Sequence, residues 1–245
     1  MDYRQLFKDR KVYMGLFFNQ ILASQALCLC CQYQKQAKFG FCLACYQDLP
    51  HLPRPCLYCG LTLNEDNLCT CHPEDWPFIA CLSAFEYQFP INKLIGQYKN
   101  QARLSLCQSF AQSLAAQIKK QKQKQPLPEL LIPVPLSPQK LAKRGFNQSL
   151  ELAKDLGKIL SIPVDYQLLQ TVGQAKSQKE LSKKQRQNLN AEQFYLSNHI
   201  KHKHIAIIDD VITTGATVKT IAQILQKQGV THIQAWSIAR VMTKQ

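Results

Sequence analysis

Residues Ile205 to Gly229 read IAIIDDVITTGATVKTIAQILQKQG. The opening Ile205-Ala206-Ile207-Ile208 is apolar and β-branched without alternation, the pattern of a strand buried on both faces. Asp209 and Asp210 end that run, and Thr213-Thr214-Gly215-Ala216-Thr217 follows, small and rich in hydroxyls. From Val218 the apolar residues Ile221, Ala222, Ile224 and Leu225 recur at helical spacing, and Gly229 supplies a stop. The stretch is therefore strand, loop, helix. A small-residue loop before a helix presents free backbone N–H groups and the positive end of the helix dipole, which suits a phosphate. Bulk at Gly215 or Ala216 would block that approach.

The two aspartates must face another part of such a ligand, because carboxylates repel phosphate. Ribose hydroxyls donate hydrogen bonds to ionised oxygens and fit them well. Vicinal hydroxyls with a phosphate a few ångströms away describe a ribose 5-phosphate. IAIIDDVITTGAT resembles the thirteen-residue signature of type I phosphoribosyltransferases, which bind 5-phosphoribosyl-1-pyrophosphate (PRPP). The resemblance implies that Asp209 and Asp210 hold the 2′ and 3′ hydroxyls. It also implies that Thr213, Thr214, Gly215, Ala216 and Thr217 wrap the 5′-phosphate.

A second strand–loop–helix lies upstream. Leu130-Leu131-Ile132-Pro133-Val134-Pro135 reads as a buried strand with prolines where its ladder ends. The loop LSPQKLAKRGFNQ, Leu136 to Gln148, concentrates Lys140, Lys143 and Arg144 before a helix from Ser149 to Leu160. Such a loop can neutralise a pyrophosphate, and Lys143 and Arg144 are its candidate ligands. Alternating strands and helices predict a parallel α/β sheet, with ligands at the carboxyl ends of the strands. Ala84 to Phe89 reads as another strand, Ile91 to Gln97 and Leu104 to Ile118 as helical, and Ile233 to Ile238 as the closing strand.

The N-terminal third has a different chemistry. Eight of the eleven cysteines form four close pairs: Cys28 and Cys31, Cys42 and Cys45, Cys56 and Cys59, Cys69 and Cys71. Two pairs brought together give tetrahedral thiolate coordination, the usual structural zinc site. A segment this poor in large apolar residues needs such a staple. Eight ligands suffice for two zinc ions. Sequential and cross-brace pairing are both open, and His72 is an alternative to Cys71. Four thiolates leave no open position, so the expected role is structural. Cys81 and Cys107 stand apart as buried thiols.

The chain has 245 residues, 46% of them hydrophobic, and a formal net charge of +14. That size allows one sizeable domain and a small one. The charge favours anionic partners: phosphates, nucleic acid or an acidic membrane surface. Paired cysteines read as metal ligands place the protein in a reducing, cytoplasmic compartment. No transmembrane helix is expected. Val12 to Phe18 loosely mimics a signal peptide, but Asn19 and Gln20 interrupt it, and an amphipathic helix packed on the cysteine module is the expectation. Basic residues also cluster in Lys119 to Lys124 and Lys176 to Arg186.

PVPL followed by RGFNQ, downstream of cysteine pairs and upstream of DDVITTGAT, resembles the ComF (competence protein F) family. The similarity runs across nearly the whole chain from Cys28. It includes Leu94 to Lys99, similar to a family helix ending in an aromatic-Lys pair, and Gln178 to Phe194, similar to a mobile hood over the site. Gln170-Thr171-Val172 stands where the family often has arginine. The resemblance implies a zinc module over residues 1–78 and a phosphoribosyltransferase-like domain over 79–245. It implies PRPP with Mg2+ as ligand, a role in DNA uptake during natural transformation, single-stranded DNA as a partner, and uptake machinery at the inner membrane nearby. A nucleobase-salvage phosphoribosyltransferase and a non-catalytic PRPP-sensing regulator are the alternatives. No residue stands out as a catalytic base.

Overall fold

A β-branched strand buried on both faces needs helices above and below it, and the fold is built on that requirement. The computed structural model describes residues 26–69, 71–121, 125–171 and 194–242. The N-terminal amphipathic helix, the hood up to residue 193, and Lys122 and Lys124 lie outside them. The chain forms two compact units, residues 1–48 and 49–245.

In the smaller unit, Cys28 opens a tight turn whose backbone closes through Cys28 N to the Gln34 carbonyl at 2.7 Å and Gln32 N to the Cys28 carbonyl at 2.9 Å. Short bridges pair Leu27 with Lys35 and Lys38 with Phe41. Helix α1 (Leu43–Asp48) follows. Phe41, Leu29, Cys28 and Cys42 are its buried apolar centre, which is small for an independent fold.

The larger unit carries a four-stranded parallel sheet. Strand β1 is Ala80–Glu86, β2 Leu130–Pro133, β5 His204–Ile212 and β6 His232–Arg240. Their order is β1-β6-β5-β2. Between β1 and β2 run helices α2 (Ile91–Gln101) and α3 (Ser105–Gln121). After β2 come α4 (Pro138–Arg144) and α5 (Gln148–Leu160), then an antiparallel ribbon of β3 (Leu169–Thr171) and β4 (Phe194–Leu196). Helix α6 (Ala216–Lys227) joins β5 to its parallel neighbour β6.

The side-chain period of two sorts the core into two layers. Ile205, Ile207, Ile233, Ala235, Leu130 and Ile132 pack with Val218, Ile221, Ala222 and Leu225 of α6 and with Leu169 and Phe194 of the ribbon. Their alternates Ala206, Ile208 and Leu131 face the side covered by α3 and α5. Each fully buried Ile or Leu contributes about 1.5–3 kcal/mol.

Residues 50–57 run along the edge strand. Glu86 N donates to the Pro50 carbonyl at 2.8 Å, His51 bridges Phe85, and Cys81 N donates to the Leu57 carbonyl at 2.7 Å. The exposed ladder of β1 is thereby covered. The segment bearing Cys56, Cys59, Cys69 and Cys71 thus belongs to the larger unit.

Some elements differ in extent from the sequence reading. Strand β1 ends at Glu86 rather than Phe89, before Pro90 breaks the ladder. Helix α2 runs on through Tyr98 to Gln101 because Tyr98 is fully buried and adds to its apolar face. The basic loop contains a helix, α4, whose cap Ser137 accepts from Lys140 N and which ends at left-handed Gly145 (φ 79°).

Candidate functional site

Both strand–loop–helix units deliver polar residues, though not Thr213, Thr214 or Lys143, to one cavity of about 340 Å³ at the carboxyl ends of β2 and β5. Its wall includes Asp209, Asp210 and Thr217 from the β5–α6 unit and Ser137, Lys140, Arg144, Gln148 and Ser149 from the β2–α5 unit. Lys99 from α2 completes the charged part.

Adjacent residues of a strand point to opposite faces, so Asp209 and Asp210 find different partners. Asp209 Oδ1 accepts from Ser149 Oγ at 3.1 Å and from Asp210 N at 2.8 Å. Asp210 Oδ2 pairs with Lys99 Nζ at 2.9 Å. Burial, then the neighbouring Asp210 carboxylate, pushes the Asp209 carboxyl up to about 7, against the pull of Ser149 and Lys99. Ionised carboxylate oxygens are acceptors, so both side chains can take hydrogen bonds from hydroxyl donors.

The threonine loop wraps the start of α6. Gly215 is its N-cap at φ 81°, a conformation that suits glycine. A Cβ there would meet the Trp76 ring at 2.7 Å. Ala216 N donates to Thr214 Oγ1 at 3.3 Å. Thr213 and Thr214 are exposed on this loop, and Thr217 reaches the cavity wall.

Every residue of Arg144-Gly145-Phe146-Asn147-Gln148 has a place in holding the basic wall. Gly145 stops α4. The Phe146 ring lies 5.6 Å from that of Tyr98. Asn147 caps α5, accepting from Ser149 N and Leu150 N, and its Nδ2 donates to the Val134 carbonyl at 3.0 Å. This ties the start of the helix to the end of β2. Arg144 donates to Gln148 Oε1 at 3.0 Å, which fixes the amide's orientation and leaves Nε2 as a buried donor without a partner. Lys140 and Arg144 sit one helical turn apart and share the cavity face. Lys143 is exposed and is not part of the cavity wall. Lys99, Lys140, Gln148 and Ser149 are the residues that sequence reasoning did not assign. The aromatic-Lys pair and the helical phase of α4 were the available signals.

The cysteine pairs associate sequentially. Cys28, Cys31, Cys42 and Cys45 form one set and Cys56, Cys59, Cys69 and Cys71 another, with all sulfurs of a set within 4.8 Å of one another. Close sulfur pairs lie at 4.0 Å (Cys31–Cys42), 3.7 Å (Cys56–Cys71) and 3.4 Å (Cys59–Cys69). A tetrahedron with bonds of about 2.3 Å puts its sulfurs about 3.8 Å apart. The backbone N–H groups of Cys30, Cys45 and Cys71 point at Cys28, Cys42 and Cys69 sulfurs at 3.4 Å each, as thiolate acceptors require. Both sets therefore fit a metal such as zinc. His72 is exposed and belongs to neither.

A phosphoribosyl transferase domain model matches residues 146–245. Competence protein F of Haemophilus influenzae is 32% identical over 91% of this chain and 93% of its own length. The DNA utilization protein YhgH of Salmonella typhi is 29% identical over 91% of this chain and 100% of its own. Competence protein ComFC of Streptococcus pneumoniae is 28% identical over 64% of this chain and 66% of its own. Among the described residues no helix is long and apolar enough to cross a membrane. With a parallel sheet, a two-carboxylate signature on β5 and cysteine sets before them, the chain belongs to the competence protein F family and has a type I phosphoribosyltransferase-like fold.

Proposed function

We propose that the protein binds PRPP in this cavity and acts in DNA uptake during natural transformation. The carrying observation is that one cavity is lined both by Asp209, Asp210 and Thr217 of the β5–α6 unit and by Lys140 and Arg144 of the β2–α5 unit. The carboxylates take the ribose 2′ and 3′ hydroxyls, the loop Thr213 to Thr217 takes the 5′-phosphate, and Arg144 with Lys140 takes the pyrophosphate. Lys143, next to Arg144, adds positive potential from the surface. Asp210 exchanges Lys99 for a ribose hydroxyl, and Lys99 then turns toward the pyrophosphate. Gln148 Nε2 gains an acceptor.

The reaction this arrangement supports is displacement at ribose C1. The C1–O bond to pyrophosphate breaks with its electron pair leaving on oxygen, and an acceptor nucleophile bonds to C1. The cationic wall stabilises the departing charge. Asp209 and Asp210 are hard oxygen donors of the kind magnesium accepts; they would hold the ion, which would supply charge neutralisation for the departing pyrophosphate.

The DNA role rests on relatives named for competence and DNA utilization. A net charge of +14 supports contact with single-stranded DNA, mainly through phosphates. The cytoplasmic face of the inner membrane, beside the uptake machinery, is the proposed location.

Calorimetry with PRPP and Mg2+ tests the ligand. Saturable binding is expected, and no heat at millimolar PRPP would overturn the assignment. Pyrophosphate release from PRPP, screened with nucleobases, nucleotides and DNA as acceptors, tests turnover. Binding without release under every acceptor would make the protein a PRPP sensor instead. Anisotropy of a labelled oligonucleotide across a salt series tests the DNA contact, and affinity should fall steeply with salt.

A further inference from the structure

The second cysteine set is joined to the phosphate loop by a buried arginine. Arg240, the last residue of β6, is 1% exposed. Its Nε donates to the carbonyl of Cys59, a member of the second set, at 2.9 Å. Its Nη1 donates to the carbonyls of Ile212 at 3.1 Å, of Thr213, and of Val241 at 3.1 Å. One guanidinium thus grips the cysteine knuckle on one side and the threonine loop on the other. The ion pairs among the described residues do not include it. A buried cation held by carbonyls depends on every one of them staying in place.

A second link runs in parallel. Trp76, five positions after Cys71, lies against the loop where a Cβ on Gly215 would be. Its ring also sits 3.9 Å from Lys219 Nζ and 5.5 Å from Arg240 Cζ. Gly60, within the same knuckle at φ 73°, packs closely: a Cβ there would lie 3.2 Å from Cys81 Sγ and 3.6 Å from the Arg240 stem.

We propose that Arg240 is a positioning residue for the phosphate loop and that the metal held by Cys56, Cys59, Cys69 and Cys71 fixes Arg240 through the Cys59 carbonyl. Filling the metal site and binding the 5′-phosphate are then linked. The metal at Cys28, Cys31, Cys42 and Cys45 has no part in this link. The phosphate part of the inference rests on the reading under Proposed function; the link between knuckle and loop does not.

Amide hydrogen exchange on ligand-free protein tests the link. Emptying the second set in Cys69→Ser/Cys71→Ser should speed exchange at residues 213–217. Arg240→Lys should do the same while retaining both metals, because an ammonium cannot span carbonyls on two sides. Cys28→Ser/Cys31→Ser should leave 213–217 at the wild-type rate. Should the second-set variant fail to fold, graded chelation of wild-type protein, with metal loss followed by intact mass, supplies the same readout. In titrations, Arg240→Lys should weaken ribose 5-phosphate binding by about five-fold or more and leave pyrophosphate binding unchanged, a split that a general loss of structure would not give. Unchanged exchange at 213–217 after loss of the second metal, or in Arg240→Lys, overturns the proposal. If wild-type protein binds no ribose 5-phosphate, the PRPP reading fails and the exchange data alone still decide the link.

Discussion

The segment leaving β5 and the segment leaving β2 do the same topological job with opposite chemistry. From Asp209 to Val218 there are two carboxylates, three threonines and no cation; from Pro133 to Gln148 there are two lysines, one arginine and no acid. Both segments open at the carboxyl ends of neighbouring parallel strands, so both face one cavity. On the proposed reading, the acidic half takes hydroxyls and one phosphate held by backbone. The basic half is built for concentrated negative charge. A ligand that uses both halves must carry a diol beside a polyanion, as the proposed ligand PRPP does and a free phosphate does not.

Breaking the acidic half should have the largest effect. Asp209→Asn/Asp210→Asn should weaken PRPP binding by roughly 1–3 kcal/mol per carboxylate, measured by calorimetry at pH 8. The fold should survive, because Asp209 is buried and its ionisation is opposed by the fold.

Breaking the basic half should cost somewhat less. Arg144→Met removes a charge-assisted contact, worth roughly 1.5–3 kcal/mol of pyrophosphate binding, and should leave ribose 5-phosphate affinity near its wild-type value. Lys143→Met, on the exposed face of α4, should change either affinity far less than Lys140→Met does.

The pH profile sharpens the same comparison. Asp209 is raised from the ordinary carboxylate range to about 7. Between the two values the folded protein binds more protons than the unfolded chain, so this group's contribution to stability falls as pH rises from about 4 to about 7 and is flat above. Hydroxyl binding needs the ionised form, so ribose 5-phosphate affinity should rise as pH climbs through about 7. Asp209→Asn should remove that rise, while pyrophosphate binding by the basic half should not show it.

Among the cavity-lining residues, the smallest expected effect is at Gln148. Replacing its lone buried donor, Gln148→Met, should cost about 1 kcal/mol of pyrophosphate affinity and little thermal stability, read as Tm.

The acidic half was almost wholly legible from sequence because its chemistry is local. Strand, carboxylates, threonines and helix follow one another within Ile205 to Gly229. The basic half was legible in composition and not in phase. Read as a loop, Lys143 and Arg144 stand together; wound into α4, Lys140 and Arg144 share the cavity side and Lys143 turns outward. Lys99 meets Asp210 across more than a hundred residues, and no local pattern announces that pair. The cysteine spacing announced metal ligands, but sequential association had to come from the fold. Arg240 ends an apolar strand, and only the packing of Cys59 and Thr213 around it gives it a role.

The division of labour between the two halves is the central claim, and crossed calorimetry tests it most directly. Ribose 5-phosphate and pyrophosphate are each titrated into wild type, Asp209→Asn/Asp210→Asn and Arg144→Met. The expected result is that the aspartate variant loses ribose 5-phosphate and keeps pyrophosphate, and that Arg144→Met does the reverse. Equal losses of both ligands in both variants, or no binding of ribose 5-phosphate to wild type, would contradict it.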